Sequence, residues 1–141
     1  MIYEEQVSCL IPYRIRDGVV EVFLQKRSAD QRWPGKFGFF GGHIKSGETP
    51  EQALHRELWE ELEVDISTFP YEWLGEFPFQ QDGEHRNKHI WYLKTEDDFR
   101  TNIKIIEGES GQWLNKKDYF QLENRFNHDG DVLEVFFDRM Q

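Results

Sequence analysis

The chain has one cysteine in 141 residues, Cys9, so no disulfide can form within it. No apolar run is long enough to span a bilayer, and no secretory leader is read at the start. These absences together predict a protein of the reducing cytoplasm with no membrane partner. Positive charge is also scarce: 17 Lys and Arg face 27 Asp and Glu, for a formal net charge of -10. No basic patch stands out that could neutralise the phosphates of a nucleic acid polymer, so such a partner is not expected. A small nucleotide that arrives with its own metal is compatible with the acidic balance. Repeats and low-complexity tracts are missing as well. Aromatics, in contrast, are plentiful, with twelve Phe and five Trp, which argues against disorder. The length suits a single domain, 1–141, with a real core, as a monomer or homodimer.

Patterning along the chain is strand-rich with two clear helices. Val7 to Ile15 reads as a strand, edge-like or bulged near Pro12. Asp17-Gly18 is a hairpin turn, and Val19 to Arg27 is the returning strand. Ser28 to Lys36 is a loop, and Phe37 to Phe40 is a short extended segment. Thr49, Pro50 and Gln52 mark a helix start with a capping box. Tyr71 to Gln80, interrupted by Pro78, and Asn87 to Thr95 pair across an Asp82-Gly83 turn. Thr95 to Asn102 reads as an acidic loop, Ile103 to Ile106 as a short apolar run, and Gly111 to Leu114 as a short strand. Asn115 to Phe126 is irregular, and Asn127 or Asp129 caps a last helix, Gly130 to Met140. Its apolar face would be Val132, Leu133, Val135, Phe136 and Phe137. The whole is an α/β (α+β) arrangement, a mixed sheet with helices on its faces.

The stretch from Trp33 to Val64 holds the chemistry. Glu57, Glu60 and Glu61 fall at i, i+3 and i+4, so a helix puts three carboxylates on one face, where they repel. A bound cation explains this cheaply, and hard oxygen ligands point to magnesium or manganese. Leu54, Leu58 and Leu62 form a separate apolar stripe, so the helix would pack by its leucines and offer the acids to a cleft. Ala53 keeps the acidic arc low enough to admit a ligand.

The spacing Gly42, five residues, Glu48, seven residues, Arg56-Glu57-Leu58-x-Glu60-Glu61-x-x-Val64 closely resembles the Nudix (MutT-type) hydrolase signature, and every charged position matches. The likeness extends upstream to Glu21 through Arg27, which resembles the corresponding strand in members that clean up oxidised nucleotides. It departs at Glu63, where the family has a glycine that ends the helix, and at Phe40, where it commonly has proline. The resemblance implies a Nudix-like α/β/α sandwich and hydrolysis of a diphosphate linkage by water. The metal would be Mg2+, with Mn2+ as alternative. It implies Glu57, Glu60 and Glu61 with the carbonyl of Gly41 as metal ligands. Glu48 and Arg56 would support the site, and Arg27, Gly42 and His43 are candidate substrate contacts. The general base is a box glutamate or one of Glu96, Glu107 and Glu109 from a later loop.

Other residues have blander readings. His55 lies away from the acids, His128 starts or packs a helix, and Cys9 is a buried strand residue. Trp33, Phe37 and Phe39 read as packing residues, one of which could stack on a base, and Asn127 reads as a cap before a base contact. Two functions follow. The first is a metal-dependent pyrophosphohydrolase of a small nucleotide: a nucleoside triphosphate, including an oxidised one, or a nucleoside diphosphate linked to another group. The alternative is a Nudix-fold nucleotide-binding or regulatory module without turnover, which generally loses box glutamates that this chain keeps.

Overall fold

A computed structural model describes residues 2–95 and 110–141. Strands β1 (Glu5–Arg16) and β2 (Val19–Lys26) form the first hairpin. Asp17 and Gly18 turn it with φ of 53° and 78°, the doubly positive geometry that suits strand twist. β1 pairs with β2 only through Tyr13–Arg16 and then diverges from it. Two short strands enter the gap: β3 (Phe37–Gly38) on β2, and β4 (Phe40–His43) on β1 through Val7–Leu10. The opposite edge of β1 runs parallel to β6 (Glu84–Lys94). β1 is therefore central, which corrects the edge-like reading of Val7 to Ile15. Pro12 is tolerated because Ile11 and Pro12 lie between the β4 and β2 pairings, where that edge changes partner.

The edge strand is β5 (Glu72–Gln81), antiparallel to β6, and Pro78 sits within it without interrupting it. The irregularity lies instead between Trp73 and Gly75. β7 (Ser110–Asn115) covers the other side of β2. The expected acidic loop beyond Thr95 and the apolar run at 103–106 lie outside the described residues.

Helix α1 (Pro50–Leu62) begins as its sequence predicts. Thr49 accepts from the Gln52 backbone N–H at 3.1 Å, and the Gln52 side chain accepts from the Thr49 N–H at 2.9 Å. Leu54, Leu58 and Leu62 are buried against Leu10, Phe23, Phe40, Trp91 and Leu93 on one face of the sheet. Phe40, at the position where proline is common, stacks on Phe23 with centroids 5.6 Å apart. Ala53, one turn before Glu57, is fully buried, so it does not open the acidic arc to a ligand as expected. The chain leaves α1 through Glu63 in the left-handed conformation (φ 56°, ψ 36°), with its N–H returning to Trp59 and Leu58 carbonyls.

Asn115 to Phe126 is not wholly irregular. Asn115 accepts from the Asp118 N–H at 2.8 Å and starts a short helix, α2 (Lys116–Phe120). The last helix, α3 (Asn127–Arg139), starts earlier than predicted. Its N-cap is Phe126, which makes no side-chain cap, so neither Asn127 nor Asp129 has the capping role assigned from sequence. Val132, Leu133, Phe136 and Phe137 pack on the second face of the sheet, against Tyr13, Tyr92 and Leu74. Val135 is 42% exposed and leaves the predicted apolar face. α1 and α3 thus cover opposite faces of a mixed seven-stranded sheet, the expected α/β/α sandwich.

Glu63 is a non-glycine residue in a conformation that costs L-residues about 1 kcal/mol or more. Replacing it by glycine also loosens the unfolded chain, which offsets part of the gain. Glu63→Gly is expected to raise stability by ~0.5 kcal/mol, read as a higher denaturation midpoint with unchanged slope.

Candidate active site

The predicted acidic arc exists, and it is organised by one cation. Arg56 Nε donates to Glu48 Oε2 at 2.7 Å, and its Nη2 donates to Glu48 Oε1 at 3.0 Å, a two-point grip on the carboxylate. Nη1 donates to Glu57 at 2.7 Å and to Glu60 at 3.3 Å, and Nη2 also donates to the His43 carbonyl at 2.9 Å. Arg56 thereby ties the loop, the helix face and the end of β4 together. Glu48 also accepts from the Lys45 N–H at 2.8 Å. The Arg56 bond, helped by Lys45, holds the Glu48 carboxyl down at about 2, while the neighbouring carboxylates push the Arg56 pKa up.

Glu61 is the buried member of the arc, at 4% exposure. It accepts the Gly41 N–H at 2.6 Å and the Gln25 side-chain amide at 3.3 Å. Both glycines before the loop stand where an added side chain would collide. Gly41 has φ of 139°, and a Cβ there would come within 2.0 Å of the Ser8 carbonyl oxygen. The close neighbour is therefore β1 backbone. A Cβ on Gly42 would fall 2.6–2.8 Å from the Glu57 carboxylate.

Gly41, Gly42, Glu57 and Glu61 line one end of a cleft of about 280 Å³. Arg27 and His43 line it too; His43 is 68% exposed and pairs with Glu5 at 3.1 Å. The arrangement thus brings Glu57, Glu61, Gly41, Gly42, Arg27 and His43 to one cleft. Glu48 and Arg56 stand behind Glu57, and Glu60 is half-exposed beside Arg56. Glu96, Glu107 and Glu109 lie outside the described residues.

Sequence reasoning missed the cleft's other end. Lys88 on β6 is bonded to Asp129 at the start of α3, and both are buried. Lys88 Nζ also lies 2.9 Å from His128 Nδ1. The His128 ring stacks between Phe79 and Phe126, at centroid distances of 4.2 and 5.5 Å. Burial drives the Asp129 carboxyl up, but Lys88 and His128 together outweigh it and keep the group below the usual range. Neither residue gave a local signal of this pairing, because they are brought together only by the tertiary fold. Trp33 meets Phe126 edge-on at 5.5 Å and lines the cleft; Phe37 belongs to the core, and Phe39 belongs to the core while also lining the cleft. Cys9 is buried and its thiol is pushed up to about 12 by burial, so it is no nucleophile.

Among the described residues no group of three or more His, Cys, Asp and Glu side chains is gathered closely enough to hold a metal in this arrangement. The donor chemistry nevertheless fits a hard divalent cation. Glu57 and Glu61 offer carboxylate oxygens to the same cleft, and Gly42 leaves the Glu57 carboxylate its space.

The family model for the NUDIX domain matches residues 4–136, and the chain belongs to the Nudix family. It is 34% identical over 100 residues to the 8-oxo-dGTP diphosphatase of Escherichia coli K12, covering 71% of this chain and 74% of that protein. It is 32% identical over 119 residues to an RNA pyrophosphohydrolase of Campylobacter jejuni subsp. doylei, covering 75% and 73%. Its fold resembles the crystal structure of a MutT protein from Methanosarcina mazei Go1, with TM-score 0.76 at 18% identity over 97% of this chain and 95% of that one. Among the described residues no helix is long and apolar enough to cross a membrane.

Two measurements check this geometry. In the metal-free protein, carboxyl NMR should titrate Glu48 near pH 2. Its folded pKa lies below the ordinary 4.5, so its stabilising grip is complete above that value and is lost as pH falls toward 2. In Arg56→Lys the midpoint should rise toward the ordinary value. Gly42→Ala should displace the Glu57 carboxylate and reduce turnover by about 100-fold, the scale of a ~1 Å misplacement, with little change in the melting temperature.

Proposed function

We propose that this chain is a divalent-metal-dependent pyrophosphohydrolase of a small nucleotide, a hydrolase acting on phosphoric anhydrides. The observation that carries the reading is the pairing of Glu57 and Glu61 at one end of a nucleotide-sized cleft, braced by Arg56, Glu48 and the Gly41 N–H. Glu57 and Glu61 would hold Mg2+, or Mn2+, with Glu60 beside them and the Gly41 carbonyl as a further ligand. Such a cation, when bound, offsets phosphate charge and makes water a better nucleophile. The chain's own residues do the rest. Arg56 fixes the rotamer of Glu57, and the Gly41 N–H and Gln25 amide fix that of Glu61, so both acids face the cleft before substrate arrives. Arg27 and His43 line the same cleft and are the candidate phosphate contacts. Water attacks one phosphorus of the anhydride, the bridging P–O bond breaks, and each product leaves with a phosphate.

A nucleoside triphosphate, including an oxidised one, is favoured over a linked diphosphate. The support is the likeness to the Escherichia coli diphosphatase and the upstream stretch Glu21 to Arg27. Incubation with magnesium and a nucleotide panel tests the reading. The expected products are a nucleoside monophosphate and pyrophosphate, whereas linked diphosphates would give two phosphorylated fragments. Glu61→Gln should lower the rate by about 100-fold or more, since even supporting residues of metal sites cost 10–100-fold. No product above that variant on any nucleotide would overturn the proposal. Ligand protection from thermal unfolding without product would make the chain a binding module.

A further inference from the structure

Away from the cleft, three large aromatic side chains stand in solvent: Trp59 at 58% exposure, Trp73 at 46% and Phe69 at 37%. A chain of contacts joins them into one face. At about 100° per residue, Trp59 falls roughly 160° around α1 from both Glu57 and Glu61, with the leucine stripe between. His55, one turn before Trp59, meets Tyr71 with ring centroids 5.5 Å apart, and its Nε2 lies 2.9 Å from the Tyr71 hydroxyl. The Tyr71 N–H donates to the Phe69 carbonyl at 3.0 Å. Two residues on, Trp73 packs edge-on against the buried Trp91 at 4.8 Å. β5 is the edge strand, and among the described residues no strand pairs with its outer side. Exposed aromatic surface of this extent, rimmed by polar groups, marks an interaction site. The rim carries one sign of charge. Residues 57–85 hold nine Asp and Glu and no Lys or Arg. Glu63, Asp65 and Glu72 are exposed among the three aromatics, and Glu51 accepts from the Tyr71 hydroxyl. Arg56 is engaged on the other side of α1 by Glu48, Glu57 and Glu60. Arg139, at the end of α3, donates to the Trp73 carbonyl at 3.3 Å, so a guanidinium already seats at the margin of this face.

We propose that this face docks an arginine-rich segment of another protein. Open indole rings beside carboxylates suit a guanidinium, which stacks by its plane and pairs with a carboxylate through its fork. A lysine ammonium is a hydrated point charge and gains less from the rings. A second copy of this chain is a poor occupant. A two-fold contact sets the patch against itself, so Glu63, Asp65 and Glu72 would meet carboxylates, and residues 57–85 supply no cation to answer them. Because Trp59 lies across the leucine stripe from Glu57 and Glu61, a partner seated here leaves the cleft open. The surface would tether the protein to a partner without obstructing the candidate active site.

The probe is a fluorescently labelled peptide of alternating arginine and glycine, with lysine–glycine and glutamate–glycine counterparts, titrated with the full chain and followed by anisotropy. The arginine peptide should bind about threefold or more tighter than the lysine peptide, and the glutamate peptide should not bind. Trp59→Gln with Trp73→Gln keeps every charge, and it should weaken arginine-peptide binding about 10-fold or more, as loss of aromatic anchors does. Glu63→Gln with Glu72→Gln should weaken it by at least ~3-fold, whereas Asp30→Asn with Glu134→Gln, which removes the same charge elsewhere on the exposed surface, should change it by less than about twofold. Melting temperatures show that the variants fold. Because Trp73 also packs on Trp91, Trp59→Gln alone is the second check and should still cost about threefold. Failure of the arginine peptide to bind overturns the proposal. Undiminished binding without the two tryptophans, or equal loss in the two charge-removed variants, also overturns it, since the attraction would then belong to the net charge alone. A dimer in sedimentation that dissociates in the tryptophan variant overturns it too, by making a second copy the occupant.

Discussion

The Arg56 guanidinium is the interaction on which the candidate active site depends. Three glutamates on one helix face repel, and a helix would lose several tenths of a kcal/mol for each like-charged pair at i, i+4 or i, i+3. Arg56 sits one residue before the first of them and places donors on Glu57, Glu60 and Glu48 at once. A lysine could supply the charge but not the fork, because the grip on Glu48 needs two parallel N–H bonds in fixed geometry. The same guanidinium also donates to the His43 carbonyl, so the strand end, the loop and the helix cannot shift independently.

The second support comes from the sheet. Because β1 and β2 diverge after Tyr13, the two short strands β3 and β4 can enter between them and carry the chain from Phe37 to His43. β4 lies so close to β1 that Gly41 must lack a side chain, and the resulting backbone directs its N–H onto Glu61. Glu61 can be buried because the Gly41 N–H and the Gln25 amide donate to it, and α1 is held in place by Leu54, Leu58 and Leu62 on the core. A proline in mid-strand, a glycine pair and a buried carboxylate are thus consequences of one divergence in the sheet.

What could be read from the sequence was local. Asp17-Gly18 and Asp82-Gly83 both turn with positive φ, and Thr49, Pro50 and Gln52 cap α1, because each signal is complete within four residues. The acidic arc and its cleft followed from helical spacing. What failed depended on neighbours distant in sequence. Pro12 was misplaced because its tolerance depends on where β4 stops pairing. Ala53 was expected to open the acidic arc to a ligand, and only packing shows that it is fully buried. Asp129 looked like a cap, yet its partner is Lys88, forty-one residues away.

This division between local and distant contacts bears on why members of one family act on different molecules. The acidic end is built almost entirely from a contiguous segment, Gly41 to Glu61, whose spacing is fixed by a turn and a helix. The opposite end draws on β5, β6 and the start of α3, joined only by tertiary contacts. A substitution at Asp129 or Lys88 changes which groups a ligand meets without altering the helical register of Glu57 and Glu61. The acidic end can then stay constant while the opposite wall of the cleft changes.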